Sequence, residues 1–235
     1  MSDMKLSLVI PCFNEAKNIP TLIKGCAVLL SNPNVELILV NNGSLDETEK
    51  EIRIAAKRHK NCRLINIKQN IGYGNGILTG LRSAKGHVLA WTHADLQTDP
   101  NDALRGFELF ASYGNEIFVK GLREKRPILD NIFTVGMSIF ESSLLRKPFW
   151  DINAQPTMFS RNFFETWESP PDDFSLDLYA YSEAVKQNKK IKRIAVHFDR
   201  RLYGQSSWNI SARSKLQFIK RTISFSLKLK KSVEK

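Results

Sequence analysis

A carboxylate and a side-chain amide stand two residues apart, just after a short apolar segment of this chain. The segment, His87–Ala90, has the character of a buried strand, and Asp95 and Gln97 follow it. Oxygen ligands at this spacing can surround one cation, and Mg²⁺ or Mn²⁺ carrying a nucleotide diphosphate favours such ligands. An Asp-x-Gln triplet is common in proteins, so its weight depends on the motifs that accompany it.

Two further loops carry polar side chains after apolar segments. Pro11, Phe13 and Glu15 follow the segment Leu6–Ile10, and Asn42 follows Val35–Val40. Taken alone, Phe13 is explained as a core side chain, and Glu15 as a favourable charge at a helix N-terminus. A position beside a ligand is the alternative for both residues.

Strand and helix patterns alternate along the first half of the chain. The strands are expected at Leu6–Ile10, Val35–Val40, Cys62–Ile67 and Val88–Trp91. Helical patterns separate them: one from Asn14 through Leu30, one that Asp46 could cap and one that ends near Gly86, with another starting at Pro100. This alternation predicts an α/β fold with a mostly parallel sheet and helices on both faces. Ligands of such sheets bind at the carboxyl ends of the strands, where each of these motifs begins.

The second half is less regular. Strands are expected at Glu116–Lys120, Ala154–Ser160 and Ile191–Phe198, and helices at Pro127–Arg146 and Phe174–Gln187. We interpret residues 1–208 as one domain. Residues 209–235 carry basic side chains between apolar ones at helical spacing, which predicts a basic amphipathic C-terminal helix.

The composition limits the classes of partner. The net charge of +11 over 235 residues favours polyanions, namely nucleic acid, anionic lipid or phosphorylated ligands. No nucleic-acid-binding motif is present, so we expect no nucleic-acid partner. The spacing of Cys12, Cys26 and Cys62 argues against a disulfide framework or a structural zinc site. No apolar stretch approaches the ~20 residues of a membrane span, so any membrane contact is expected to be peripheral.

Together these motifs resemble the family 2 glycosyltransferases of the GT-A fold, most closely the dolichyl- and polyprenyl-phosphate sugar synthases, without their transmembrane helices. The resemblance runs from Leu6 to Trp208. It implies a nucleotide-diphospho-sugar transferase fold in which residues 1–125 bind the nucleotide sugar and residues 126–208 face the acceptor. It also implies transfer with inversion at the anomeric carbon, in a cell-envelope polysaccharide or glycolipid pathway.

The resemblance assigns a set of side chains to the nucleotide. They are Pro11, Phe13, Glu15, Asn42, His93, Ala94, Asp95, Arg123, Arg201, Gly204 and Ser206. The metal ligands implied are Asp95, Gln97 and His93, for Mn²⁺ or Mg²⁺. Because an imidazole replaces the usual first carboxylate at position 93, we expect Mn²⁺ to be favoured. Asparagines at 41 and 42 also replace usual acids, which leaves UDP and GDP open as the donor nucleotide.

The implied catalytic groups fall into two sets. Asp95 and Arg201 would stabilise the leaving diphosphate. Asp172, Asp173 and Asp177 are candidates for a general base, with helix capping as the alternative explanation of Asp172 and Asp173. A hydroxyl acceptor requires such a base, whereas a lipid phosphate is already anionic and does not.

The expected partners are a UDP- or GDP-sugar, a lipid-phosphate or glycan acceptor, and an anionic membrane surface bound through the basic tail. We expect the protein at the cytoplasmic face of the membrane, attached peripherally. A catalytically silent relative that binds a nucleotide or a partner is the alternative, because three acids of the family pattern are replaced.

Overall fold

The computed structural model describes residues 4–124, 128–199, 201 and 212–233, with backbone alone at 128–134, 212–218 and 231–233. Seven strands form one sheet in the order β3-β2-β1-β4-β6-β5-β7. Their bounds are β1 Leu6–Cys12, β2 Val35–Asn42, β3 Cys62–Ile67, β4 Val88–Trp91, β5 Ile117–Glu124, β6 Thr157–Ser160 and β7 Lys190–His197. Six strands run in one direction, and β6 alone runs against its neighbours β4 and β5.

Nine α-helices occur in the described residues. They are α1 Ile19–Gly25, α2 Ala27–Ser31, α3 Thr48–Arg58, α4 Tyr73–Ser83, α5 Asp102–Tyr113, α6 Ile128–Leu145, α7 Arg161–Glu165, α8 Leu176–Lys186 and α9 Ala212–Val233, with a short 3₁₀ helix at Gly114–Glu116. Helices cover both faces of the sheet, so its central strands carry buried apolar residues on both faces rather than at alternate positions only.

The strand β1 shows how the two faces are divided. Leu8 and Ile10 pack into the core on the side of α1 and α5, while Val9 packs with Ile77 and Leu81 of α4 on the other side. Successive side chains of a strand point to opposite faces, so one apolar strand contributes to both layers of the core. The mostly parallel α/β fold predicted from the sequence is confirmed.

Several predicted elements differ in detail. The single helix expected from Asn14 through Leu30 is two short helices that meet at Cys26. The strand expected from Ala154 begins only at Thr157, and it is the antiparallel strand of the sheet. The three cysteines are buried free thiols.

The C-terminal helix α9 packs against α6. Ser226 and Leu229 are buried on its inner side, whereas Lys220, Arg221 and Lys228 face solvent. Packing against α6 thus buries part of the apolar side of α9 and leaves basic side chains exposed on the other side. The basic amphipathic helix over residues 209–235 stays a prediction, since residues 209–211 and 234–235 lie outside the described part of the chain. Among the described residues, no helix combines the length and apolar character needed to cross a bilayer.

A buried carboxyl group lies where α6 and α9 meet. Glu141 is fully buried, and its Oε1 accepts a hydrogen bond of 2.7 Å from the Ser226 hydroxyl. No group in the described part of the chain donates to its Oε2. Burial raises the pKa of Glu141 to about 7, although the bond from Ser226 lowers it. The carboxyl group is therefore stabilised in its neutral form.

We expect the stability of the protein to fall as the pH rises through about 7, because the buried Glu141 then ionises. Raising the pH from about 6 to about 8.5 should lower the free energy of unfolding by about 1–2 kcal/mol through this group. Glu141→Gln keeps an acceptor for Ser226 and should lose this pH dependence. Urea unfolding at both pH values measures it, with the exposed Glu108→Gln as the control; equal pH dependence in all three proteins would contradict the assignment.

Candidate functional site

The loops after β1 and β2 are joined by side-chain hydrogen bonds. The backbone N–H of Asn14 donates to Ser44 Oγ at 3.0 Å, and that of Glu15 donates to Thr48 Oγ1 at 2.8 Å. In return, the backbone N–H of Leu45 donates to Asn14 Oδ1 at 2.8 Å. These bonds fix the two loops as one wall at the carboxyl edge of the sheet.

Asp46 belongs to this wall and does not cap a helix in the expected way. Its Oδ2 accepts from the backbone N–H of Ala16 at 3.1 Å, and its Oδ1 accepts from that of Thr48 at 3.0 Å. The residue at the N-cap of α3 is Glu47, whose side chain makes no capping bond. These hydrogen bonds lower the pKa of Asp46 against the opposing effect of burial.

Asn42 lies at the end of β2 and is nearly fully buried. Its Nδ2 donates to the carbonyl of Gly72 at 2.9 Å, which assigns the oxygen to the other side of the amide. No described group donates to its Oδ1. A Cβ atom on Gly76 would lie 2.9 Å from Asn42 Cγ, so glycine is required there. Asn42 therefore offers one acceptor that no described group uses, and such an oxygen could accept from a nucleotide.

The glycine-rich turn before α4 packs closely against the segment before α8. Gly72 has φ +152°, and a Cβ atom there would lie 2.1 Å from the carbonyl oxygen of Asp172. The same carbonyl accepts from the backbone N–H of Asn75 at 2.9 Å. The turn thus brings the segment before α8 against the start of α4.

An aromatic stack that the sequence analysis missed lines this region. Tyr73 stacks on Phe174 with ring centroids 4.6 Å apart, and on His93 at 5.6 Å. Its hydroxyl lies 3.4 Å from His93 Nδ1. Tyr73 and Phe174 are far apart in the sequence and carry no motif, so only the packing of the turn against the segment before α8 reveals them.

His93 lies among the charged groups of the site. Burial lowers its pKa, and the nearby Arg123 and Arg201 lower it further, while Asp95 and Asp177 act in the opposite direction. The imidazole is therefore neutral at neutral pH. A neutral imidazole can ligate a metal through one nitrogen, so the predicted role of His93 is compatible with its surroundings.

Asp95 pairs with Arg201 across the site. The carboxylate is nearly buried, and its Oδ2 lies 2.6 Å from Arg201 Nη2. Its Oδ1 accepts from the backbone N–H of Gln97 at 3.1 Å. The Gln97 side chain donates from Nε2 to the carbonyl of Asp199 at 3.2 Å, which leaves its amide oxygen for another partner. The two residues expected to contact the diphosphate and the metal therefore meet at one point.

The donor set fits a divalent ion brought by a nucleotide. Asp95 and Gln97 supply hard oxygen ligands, and His93 supplies a neutral nitrogen. In the part of the chain that the structure describes, no three His, Cys, Asp or Glu side chains cluster as a ready-made metal site. Asp95, Gln97 and His93 would leave further positions around a metal for water or for phosphate oxygens of a nucleotide.

Arg123 is committed to another partner. Its Nε donates to Asp151 Oδ1 at 2.9 Å, Nη2 makes a further short bond to the same oxygen, and the backbone N–H donates to Oδ2 at 3.1 Å. The guanidinium also lies over the ring of Phe198, 5.3 Å from its centroid. A contact between Arg123 and nucleotide phosphates stays a prediction.

Asp177 lies in a buried polar network that the sequence did not indicate. Its Oδ1 accepts from Lys120 Nζ at 2.8 Å and from Gln155 Nε2 at 2.9 Å. Lys120 is fully buried and also donates to Thr157 Oγ1 at 2.6 Å. Burial lowers the pKa of Lys120, while the neighbouring Asp177 opposes that shift. Asp177 is thus paired with a cation, which opposes its use as a general base.

The other two acids lie in the segment before α8. Asp173 Oδ1 accepts from the backbone N–H of Ser175 at 2.9 Å, and so supports the start of the helix. Asp172 is exposed and contributes its carbonyl to the turn described above. Asp173 therefore supports the turn that leads into α8, whose N-cap residue is Ser175.

The remaining predicted residues are placed as follows. Phe13 is 44% exposed at the wall formed by the first two loops, and Pro11 precedes it at the end of β1. Ala94 is buried between His93 and Asp95. Gly204 and Ser206 lie outside the described residues.

The sequence matches the family described as "Glycosyl transferase family 2" over residues 7–161. It is 33% identical over 105 residues to a dodecaprenyl-phosphate galacturonate synthase of Rhizobium johnstonii, across 43% of this chain and 31% of that protein. It is 24% identical over 222 residues to a dolichyl-phosphate beta-glucosyltransferase of Dictyostelium discoideum, across 84% of this chain and 67% of that protein. The chain thus spans about a third of the first relative and two thirds of the second.

Two solved structures share the fold. Glucosyl-3-phosphoglycerate synthase from Mycobacterium tuberculosis, in complex with Mn²⁺, UDP-glucose and phosphoglyceric acid, superimposes with a TM-score of 0.76 at 16% identity, over 96% of this chain and 80% of that one. A mannosyltransferase from Pyrobaculum calidifontis, in complex with GDP-mannose and Mn²⁺, gives 0.70 at 19% identity, over 95% of this chain and 64% of that one. The fold of this chain is therefore GT-A.

Proposed function

Since this chain belongs to glycosyl transferase family 2, we propose that it transfers a sugar from a nucleotide-diphosphate sugar to a polyprenyl-type lipid phosphate, with inversion at the anomeric carbon. The observation that carries the proposal is the meeting of Asp95 and Arg201, 2.6 Å apart, beside the wall formed by the first two loops. A carboxylate and a guanidinium at one point provide opposite charges for a metal and for a diphosphate.

The donor side of the proposal rests on the wall and on Asn42. The exposed ring of Phe13 offers a surface for the base, and Asn42 Oδ1 offers an acceptor for a ring N–H. Uracil and guanine both present such a donor. The solved structures with this fold contain UDP-glucose or GDP-mannose together with Mn²⁺. We therefore propose a UDP- or GDP-sugar as the donor.

A divalent cation, Mn²⁺ or Mg²⁺, held by Asp95 with Gln97 or His93, would supply positive charge that offsets the diphosphate leaving group. The chain's own contribution is the guanidinium of Arg201, which can bind phosphate oxygens in a forked geometry as charge builds on them. The loops after β1, β2 and β4 all begin at the same edge of the sheet. There they would orient the donor so that its diphosphate faces the Arg201 guanidinium.

The proposed class of acceptor follows from the hydrogen bonds that the candidate general bases make. Asp177 is ion-paired with Lys120, and Asp173 bonds the backbone at the start of α8. Both are already engaged, which favours an acceptor that needs no deprotonation. A lipid phosphate is such an acceptor, and the relatives named above carry dodecaprenyl phosphate and dolichyl phosphate in their names. Activation of a glycan hydroxyl by Asp172 is the second form of the proposal.

We further propose that the protein binds an anionic membrane surface peripherally, at the cytoplasmic face. A shallow groove on the outer side of α9 is lined by Lys220, Ile223, Ser224, Leu227 and Lys228. Leu227 is 46% exposed between the two lysines. An apolar floor between basic side chains suits the headgroup region of anionic lipid.

A nucleotide- or partner-binding relative without turnover is the second candidate function, because His93, Asn41 and Asn42 replace acids of the family pattern. The donor-binding and transfer experiments below distinguish it from the enzyme.

We expect thermal stabilisation by one class of nucleotide sugar. A ligand at ~100 times its Kd adds roughly 2.7 kcal/mol to the stability, which is readily seen as a shift in Tm. UDP-, GDP-, CDP- and dTDP-sugars are compared, each with Mn²⁺, Mg²⁺ or a chelator. The Asp95→Asn variant should lose the metal-dependent part of the shift. A protein that no donor stabilises would contradict donor binding.

Transfer to polyprenyl phosphate should survive the loss of each candidate base. Asp172→Asn and Asp173→Asn are expected to keep the rate within about threefold, whereas loss of a true general base costs ~10²–10⁴-fold. Asp177 is tested in the double variant Lys120→Met/Asp177→Asn, because a single change would leave a buried charge unpaired. Labelled sugar in the lipid fraction is the readout, and donor shifts without any transfer to lipid or glycan would favour the silent relative.

Reversal of charge on α9 should weaken binding to anionic vesicles. Each lysine near such a surface contributes about 1 kcal/mol, so Lys220→Glu/Lys228→Glu should lower the binding constant at least about tenfold at low salt. Lys57→Glu/Lys60→Glu makes the same change in net charge at exposed positions on and just after α3 and is the matched control. Vesicle flotation measures the binding of both variants. An equal loss of binding in the two would show that net charge, rather than this face of α9, determines it.

A further inference from the structure

Both oxygens of the Asp95 carboxylate have partners within the protein. Oδ2 lies 2.6 Å from Arg201 Nη2, and Oδ1 accepts from the backbone N–H of Gln97 at 3.1 Å. The side chain of Asp95 is 8% exposed and that of Arg201 24% exposed, so water screens their attraction only partly. Hydrogen bonds between ionised groups of this length are strong, and Asp95 is therefore not a free ligand.

Gln97 places Arg201 on Asp95. The segment after β7 is bonded to the loop after β4 in both directions: the backbone N–H of Asp199 donates to the Gln97 carbonyl at 2.8 Å, and Gln97 Nε2 donates to the Asp199 carbonyl at 3.2 Å. Arg201 follows only two residues later. A second acid reinforces the position, since Arg201 Nη1 lies 3.9 Å from Glu15 Oε1.

We infer that Arg201 occupies the metal-binding oxygen of Asp95 until a nucleotide diphosphate draws the guanidinium away, so that metal and donor bind cooperatively. A guanidinium and a divalent ion repel each other, so the pairing of Arg201 with Asp95 Oδ2 opposes metal binding at that oxygen. A diphosphate carries more negative charge than one carboxylate and accepts the same forked bonds. Its arrival would free Asp95, and by linkage each ligand would raise the affinity for the other by the same factor.

This inference rests on the proposed function only in the identity of the second ligand. The competition between Arg201 and a metal is a property of the protein alone. It can be measured with Mn²⁺ as the sole ligand, without donor, acceptor or turnover. Failure of nucleotide binding would therefore overturn the proposed function and leave this competition to be judged by itself.

The test is a titration with Mn²⁺ alone, followed by the loss of the free Mn²⁺ signal in electron paramagnetic resonance. Arg201→Gln should bind Mn²⁺ at least about tenfold more tightly than the wild-type protein, because the competing cation is gone. Arg201→Lys keeps a positive charge and should remain weak. Adding Asp95→Asn to Arg201→Gln should abolish the gain. Arg105→Gln removes an exposed arginine that pairs with Asp102, and serves as the matched control.

Equal Mn²⁺ affinity in the wild-type protein and Arg201→Gln would overturn the inference, as would no Mn²⁺ binding by either. In a second titration, Mn²⁺ is added with UDP or GDP present, and nucleotide–metal binding in solution is subtracted. Nucleotide should raise the Mn²⁺ affinity of the wild-type protein at least about tenfold, and that of Arg201→Gln by a smaller factor. The same gain in both proteins would contradict the coupling through Arg201.

Discussion

The parallel run of the strands is the constraint on which the site depends. Because β1, β2 and β4 run in one direction and are hydrogen-bonded side by side, their loops emerge at one edge of the sheet. The strand β7 ends at the same edge, and so brings Arg201 to Asp95 across 106 positions of the sequence. The charged centre of the molecule is therefore a consequence of strand direction, and local sequence decides only which side chains stand there.

Lys120 and Asp177 form a buried ion pair beside the antiparallel strand β6. Lys120 of β5 and Thr157 of β6 are fully buried, and an unpaired charge at this position would be costly. Gln155 and Thr157 complete the hydrogen bonds of this pair. The network links β5, β6 and the first turn of α8. It therefore fixes the second half of the domain relative to the donor side.

The sequence predicted those parts of the molecule that local patterns encode. Apolar runs marked the first four strands, and the family resemblance placed Asp95 and Arg201 in one site. The pairs Arg123–Asp151 and Lys120–Asp177 could not be predicted, since they join residues 28 and 57 positions apart that carry no shared motif. The antiparallel direction of β6 could not be predicted either, because a short apolar strand shows the same pattern in either direction.

The histidine at position 93 affects the charge balance around the pair of Asp95 and Arg201. Burial lowers its pKa, so it adds no charge at neutral pH. Burial also raises the pKa of Glu15, whose carboxylate bonds Asn18 and lies farther from Arg201 than Asp95 does. With an acid at position 93, Arg201 could neutralise one carboxylate and leave another for a metal. With a histidine there, Asp95 is the acid that both Arg201 and an incoming ion would use, so the two cations are expected to compete for it.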